Sequence, residues 1–280
     1  MKVLVLGAQG MLGKDLVPIL SLKNQVLGRD IDDFDITDGQ RVEEEIKAVR
    51  PRIVVNAAAY TDVDGCEAKK DLAFSVNADA VRNIALGCKA IGARMIHLST
   101  DYVFDGSATI PYREEDPPAP LNVYGASKLQ GERNIRTILE NHLIIRTEWL
   151  YGRQGKNFVD TILKLAAQQE ELRVVNDQRG APTFTKDLSR AIDRLIPEKT
   201  AGTIHVTNAG ACTWFEFARK ILQEKQKNTV RIIPITSEEL ARPAKRPANS
   251  VLDCSRFQQI TGQKMRPWEE ALKEYLFEVN

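Results

Sequence analysis

Through the first half of the chain, short apolar runs alternate with longer stretches that carry polar residues at helical intervals. The first run, Val3–Leu6, opens the sequence, and Gln25–Leu27, Arg52–Val55, Arg94–Leu98 and Leu143–Arg146 continue the series. These read as strands of a parallel sheet, buried on both faces. Helical stretches near Thr37–Val49, Leu72–Ile91 and Asn122–Leu139 lie between them, and Thr37 and Gln40 have capping-box spacing. Beyond residue 150 the pattern loosens into short strands at Arg173–Val175, Ile204–Val206 and Arg231–Ile233. Helices at Asn157–Gln168, Phe184–Leu195 and Thr213–Lys225 accompany them, the last opening on a second capping box, Thr213 and Glu216. Pro243, Pro247 and Pro267 break the C-terminal region into loops before a final helix near Trp268–Phe277. The alternation predicts an α/β fold in which a doubly wound parallel sheet occupies residues 1–150. A smaller lobe over 151–280, partly interleaved with the first, is expected to form the second wall of a cleft.

The first strand runs directly into Gly7-x-x-Gly10-x-x-Gly13, followed by an amphipathic stretch. Strand, glycine turn and helix in this order form the dinucleotide-binding unit of a Rossmann-type fold. One glycine permits the tight turn, a second lets the backbone approach a pyrophosphate, and the third allows close helix–strand packing. The helix beginning near Gly10 offers free N–H groups and a positive dipole end to phosphates.

Composition narrows the class. The 280 residues are 43% hydrophobic and 28% charged, as in an ordinary globular protein. Lys plus Arg (39) nearly balance Asp plus Glu (38), so no global charge draws the chain to nucleic acid. No run approaches the roughly 18 apolar residues of a membrane span. Met1 leads straight into the first strand, which leaves no room for a signal peptide and points to the cytoplasm. Cys66, Cys88, Cys212 and Cys254 are far apart and read as reduced, buried thiols, with no metal site implied.

Candidate chemistry lies at Tyr124-x-x-x-Lys128, where four-residue spacing puts both side chains on one helical face, about 6 Å apart along the axis. An ammonium in that position is expected to lower the tyrosine pKa and let the phenol exchange a proton near neutral pH. Upstream, the strand ending Met95-Ile-His-Leu98 delivers Ser99-Thr-Asp-Tyr102 at its C-terminal end. Ligands of open α/β sheets bind there. Either Ser99 or Thr100 is placed to meet a carbonyl oxygen.

On these blocks the chain resembles the extended short-chain dehydrogenase/reductases, and within them the dTDP-4-dehydrorhamnose reductases. The resemblance runs nearly end to end. It is carried by Gly7-Ala-Gln-Gly-Met-Leu-Gly13, Asp35-Ile-Thr37, Val55-Asn-Ala-Ala-Ala-Tyr-Thr61 and Ser99-Thr-Asp-Tyr-Val-Phe-Asp-Gly106. Pro120-Leu-Asn-Val-Tyr124 with Gly125 and Lys128, Arg146-Thr-Glu-Trp149, Asn176-Asp-Gln-Arg-Gly-Ala-Pro182 and Arg246-Pro-Ala-Asn-Ser250 extend it. The resemblance implies NADH- or NADPH-dependent reduction of C4 of a 4-keto-6-deoxy sugar nucleotide. In that reading Tyr124 donates the proton, Thr100 holds the oxygen, and Lys128 tunes Tyr124 and binds the nicotinamide ribose. Gly7, Gly10, Met11, Leu12 and Gly13 line the pyrophosphate, with Asp35, Ile36, Ala58, Ala59 and Tyr60 around the adenosine half. Asp101, Tyr102 and Trp149 meet the sugar, and Arg246, in the basic loop Arg242-Pro-Ala-Lys-Arg246, meets the diphosphate.

Cofactor choice stays open: Asp30 favours a ribose 2′-OH, whereas its neighbour Arg29 favours a 2′-phosphate. Some relatives hold Mg²⁺ at a dimer interface through carboxylates. Here Asp15 matches one position but Lys186 stands at the other, so a metal-free monomer or weak homodimer is expected. Tyr102 stands where dehydratases of this fold supply a glutamate, which favours simple reduction. Another sugar-nucleotide reductase, or an epimerase of the same fold with its cofactor tightly bound, is the alternative within the class. A non-catalytic partner, resembling the regulatory subunit of a methionine adenosyltransferase, is the reading from another class.

Overall fold

The structure, a computed structural model, describes residues 1–227 and 229–279. The N-terminal half runs β1 (Lys2–Leu6), α1 (Met11–Ser21), β2 (Gln25–Arg29), α2 (Gly39–Val49), β3 (Ile53–Asn56) and α3 (Val63–Ala68). It continues through α4 (Ala80–Ile91), β4 (Arg94–Thr100), α5 (Val123–Ile138) and β5 (His142–Thr147). Then come α6 (Phe158–Ala166), β6 (Glu171–Val175), α7 (Thr185–Leu195), β7 (Gly202–His205), α8 (Trp214–Glu224), β8 (Arg231–Ile235) and α9 (Trp268–Glu278).

Six parallel strands in the order β7-β5-β4-β3-β1-β2 form the main sheet. Strand side chains alternate between two apolar layers. Val3 and Val5 face Leu12, Leu16 and Leu20 of α1 and Leu188, Ile192 and Leu195 of α7. Leu4 and Leu6 face Val42 and Ile46 of α2, Ile84 of α4 and Ile135 of α5. From β1 the chain moves to β2 on one side and then crosses to β3 on the other, so the order reverses beside Gly7. That is the switch point at which such sheets bind ligands.

The chain crosses between its two halves. α7 and β7 return from the C-terminal region to the main sheet, and Arg94 of β4 donates to the carbonyls of Leu195, Ile196, Glu198 and Thr200 that connect them. The remaining C-terminal elements pack around Tyr151, Phe184, Phe217, Trp268 and Tyr275, with β6 paired to β8 in parallel.

Two local expectations are corrected. Asp38, not Thr37, caps α2, because its carboxylate accepts from the amides of Gln40 and Arg41 while the Thr37 amide is taken by Asp35. The helix expected over Leu72–Ile91 is interrupted by a π-helical turn at Ser75–Asp79. The Thr213–Glu216 capping box is present in both directions. Among the described residues, no helix is long and apolar enough to cross a membrane.

Candidate active site

Gly7 leaves β1 at φ +80°, and a Cβ there would stand 2.6 Å from the Ala58 amide nitrogen. A Cβ on Gly13 would lie 2.2 Å from the Gly7 carbonyl, so this glycine seats α1 against the turn. Gly10 precedes α1 with no side-chain cap, and the first turn carries no acidic residue, which leaves its N–H groups for an anion. A cleft of ≈ 300 Å³ opens above, lined by Gly7, Gly10, Arg29, Asp30, Asp35, Ile36, Ala58 and Ala59 among others. The cradle therefore fits a dinucleotide. Met11, Leu12, Gly13 and Tyr60 lie outside the lining. Leu12 is in the core, Met11 approaches Gly152 and Gly155, and the Tyr60 amide donates to Asn77 Oδ1 at 2.9 Å.

The two candidate discriminators of the cofactor are partly engaged. Asp30 Oδ2 accepts from the Gln9 amide at 2.7 Å and so braces the glycine loop. Arg29 Nε donates to Glu45 Oε1 at 2.7 Å.

At the C-terminal end of β4, on the same edge of the sheet and two strands from β1, Ser99 and Thr100 part company. Ser99 Oγ donates to Glu132 Oε1 at 2.6 Å, inside a buried cluster with Arg146. Thr100 instead faces Tyr124 and donates to Asp101 Oδ1 at 2.9 Å. Tyr124 reaches this point because α5 begins in unusually close contact with the turn after β4. A Cβ on Gly125 would lie 2.1 Å from the Tyr102 carbonyl oxygen. Asn122 caps α5 through the Gly125 amide at 2.8 Å, and the Tyr102 and Tyr124 rings meet edge to face at 5.7 Å.

The expected effect of Lys128 on Tyr124 is not what this geometry gives. Lys128 Nζ donates to the Leu98 carbonyl at 2.6 Å and lies 3.4 Å from His97 Nε2. Burial, then the negative charge of Asp101, pushes the Tyr124 phenol above its ordinary range, opposed by the Thr100 hydroxyl. Lys128 itself is fully buried and lowered to about 8 by desolvation, against the pull of Glu132.

On the substrate side, Trp149 follows β5 with φ 46° and stacks on Trp214, ring centroids 3.5 Å apart. Arg246 reaches Tyr102 and grips Asp64 of α3 with both terminal nitrogens, at 2.7 and 2.9 Å. Arg242 shares that carboxylate at 3.0 Å. The Arg246 hydrogen bonds lower Asp64 to about 2, although burial opposes them. Asp101 is only 3% exposed, and its Oδ1 accepts from the Thr100 hydroxyl. Lys186 is engaged by Glu274 at 2.9 Å and by Glu278, and Thr185 donates to Asp15. Among the described residues, no group of three or more His, Cys, Asp or Glu is arranged to hold a metal.

Sequence reasoning missed several supporting residues. Asn77, aimed by the π-helical turn, joins the Tyr60 amide and carbonyl to Ser127 of α5. Asn56 binds the Ala58 amide and His97. Asp64 and Glu148 were also passed over. A polar residue within an otherwise apolar strand (Asn56, His97) was the one signal available.

A phenol and a hydroxyl at the strand ends, beside a dinucleotide cleft at the switch point, form the working arrangement of a Rossmann-type short-chain dehydrogenase/reductase. Comparison with known proteins narrows this. The chain belongs to the family described as RmlD substrate binding domain, whose model matches residues 1–280. It is 45% identical over 278 residues to the spore coat polysaccharide biosynthesis protein SpsK of Bacillus subtilis (strain 168), covering 99% of this chain and 97% of that one. It is 43% identical over 280 residues to a dTDP-4-dehydrorhamnose reductase of Streptomyces griseus, covering 97% and 91%. A crystal structure of dTDP-4-dehydrorhamnose reductase from Bacillus anthracis str. Ames in complex with NADP superposes with a TM-score of 0.96 at 39% identity, covering 99% of each chain.

Proposed function

We propose that this chain reduces the C4 keto group of dTDP-4-dehydro-L-rhamnose to give dTDP-L-rhamnose, with NADH or NADPH as reductant. The observation that carries the reading is the meeting of Thr100 and Tyr124 at the end of β4, in a chain whose full-length relatives include dTDP-4-dehydrorhamnose reductases. When bound in the Gly7–Gly13 cleft, the nicotinamide supplies the hydride. Tyr124 gives its phenolic proton to the oxygen that gains charge, and Thr100 holds that oxygen by a hydrogen bond. A phenol raised by burial stays protonated at neutral pH, which suits a donor, and an alkoxide is basic enough to take the proton. Lys128, beneath Tyr124, is the residue for the nicotinamide ribose.

The substrate contacts belong to the same proposal. Tyr102 and Trp149 bound the sugar, and Arg246 faces its diphosphate. Arg242 and Arg246 share one carboxylate, so the cluster keeps one net positive charge for an anion. We place the protein in the cytoplasm, as a monomer or weak homodimer. Its four free cysteines support a reducing setting.

The test follows NADH and NADPH absorbance with dTDP-4-dehydro-L-rhamnose, comparing the wild type with Tyr124→Phe. Substrate-dependent oxidation that falls at least about a hundredfold in the variant is expected for loss of a general acid. Folded protein that binds nucleotide yet oxidises neither cofactor would overturn the reading and favour a regulatory, non-catalytic role.

A further inference from the structure

Two buried acids lie behind the reacting face. Asp101 and Glu148 are 3% and 2% exposed. Among the described residues neither has a cation as ion-pair partner, and Asp101 Oδ2 and Glu148 Oε1 are buried with no hydrogen-bond partner. Ser250, itself 2% exposed, joins them: its Oγ donates to Glu148 Oε2 at 3.2 Å and lies within bonding reach of Asp101. Two carboxylates in a dry pocket repel, so a neutralising proton is favoured between them. Burial raises Asp101 to about 6 against the Ser250 and Thr100 hydrogen bonds, and burial with the Asp101 charge raises Glu148 well above its ordinary range.

The pair adjoins the chemistry on two sides. Thr100 donates to Asp101 Oδ1 at 2.9 Å and faces the Tyr124 phenol with the same hydroxyl. Glu148 precedes Trp149, and both press on Gly180, where a Cβ would stand 2.4 Å from Glu148 Oε2 and 2.5 Å from the Trp149 ring. The neighbouring titratable groups are Tyr102 and Tyr124 beside Asp101, and Cys212 and Cys254 near Glu148, with Arg246 beyond Tyr102. Near pH 7 the phenols and thiols are neutral and Arg246 is cationic, so the two carboxyls hold the titratable proton.

We propose that Asp101 and Glu148 share one proton and use it to recharge Tyr124 through the Thr100 hydroxyl. The proposal rests on the reductase reading. Once Tyr124 has protonated the alkoxide it is a tyrosinate. The Thr100 O–H proton then passes to the tyrosinate oxygen while the Asp101 carboxyl O–H proton passes to Thr100 Oγ. The O–H bonds of Tyr124 and Thr100 are remade, the carboxyl O–H is broken, and no electrons are exchanged. A proton from solvent restores the doubly ionised pair. The transfer runs downhill because a phenolate is more basic than either carboxylate.

The test uses the full chain and joins infrared spectroscopy to kinetics in wild type, Glu148→Gln and Asp101→Asn. A shared proton predicts the carbonyl stretch of a protonated carboxylic acid at pH 7 in the wild type, lost in Glu148→Gln and shifted in frequency in Asp101→Asn, where burial alone still keeps a proton on Glu148. Recharging predicts that Glu148→Gln lowers kcat at least about tenfold with KM within about twofold, and that the deficit deepens as pH rises. A wild type without the protonated band, or a band unchanged in frequency in Asp101→Asn, overturns the shared proton. A kcat–pH profile of Glu148→Gln that superposes on wild type overturns the relay. Absence of turnover in the wild type overturns the reductase reading and the relay with it, and the infrared bands then decide the shared proton alone.

Discussion

Glu132 of α5 and Arg146 of β5 meet in a two-pronged ion pair inside the protein, Nε to Oε1 at 2.9 Å and the second prong at 2.8 Å. Both side chains are buried, and Ser99 and Arg136 complete the carboxylate's partners. The pair locks α5, which carries Tyr124 and Lys128, to the strand that leads into Trp149.

Removing one member leaves an uncompensated buried charge, so Glu132→Ala is expected to destabilise the fold by about 3–5 kcal/mol. Burial raises the Glu132 pKa, but the Arg146 hydrogen bonds outweigh it and the net shift is downward. A carboxyl lowered in the folded state binds fewer protons there than when unfolded. Its contribution is therefore present above the unfolded carboxyl pKa and lost as pH falls through the folded one. Urea unfolding at pH 7 and at pH 4 checks this: the gap between wild type and variant should narrow at the lower pH.

The parallel sheet, the glycine turn and the Tyr124–Lys128 face were legible in the sequence because each rests on local spacing. Periods of two and 3.6 residues, and glycines at fixed offsets, survive in one dimension. The π-helical turn at Ser75–Asp79 was not legible, since Asn77 is held by partners at Tyr60 and Ser127 that only the tertiary fold supplies. The same holds for Asp64 with Arg246, separated by 182 positions along the chain. The inward turn of Asp101 was also hidden, because its partners Ser250 and Glu148 come from distant segments.

Lys128→Met should separate stability from activity. Asn56 gives its Oδ1 to the Ala58 amide, so its Nδ2 faces His97 Nδ1 and leaves the His97 proton on Nε2, toward Lys128. An amine can accept there and an ammonium cannot. Burial lowers Lys128 to about 8, against the pull of Glu132. A lysine lowered in the folded state costs stability below that pKa, and the cost fades as pH rises from about 8 toward the unfolded value. Lys128→Met is therefore expected to unfold at higher temperature than wild type at pH 7, with the advantage shrinking by pH 10. Turnover should be lost. A lower Tm for the variant at pH 7 would contradict the argument.

Gly125→Ala tests the close approach that aims Tyr124. The added methyl meets a backbone carbonyl oxygen at 2.1 Å, which cannot swing away as a side chain can. α5 must shift, at a cost of about 1–3 kcal/mol. The expected result is a lower Tm and a kcat reduced more than tenfold. A variant with wild-type kcat would show that the contact does not set the phenol's position.

Arg246→Ala should act on substrate binding more than on chemistry. Its guanidinium bridges Tyr102 and Asp64, so the loop carrying it is tied across the cleft to α3. Losing a charge-assisted contact to a diphosphate is expected to raise KM at least about tenfold, or about 1.4 kcal/mol, with kcat within a few-fold. Asp64→Asn provides the control. It removes the competing carboxylate charge and leaves Arg242 and Arg246 unneutralised, so KM should fall or hold while the loop loosens. Steady-state kinetics across a salt series separates the two effects, because attraction between exposed charges weakens with ionic strength. If Arg246→Ala and Asp64→Asn raise KM equally, the ion pair serves loop placement alone, and the diphosphate must be held by other residues.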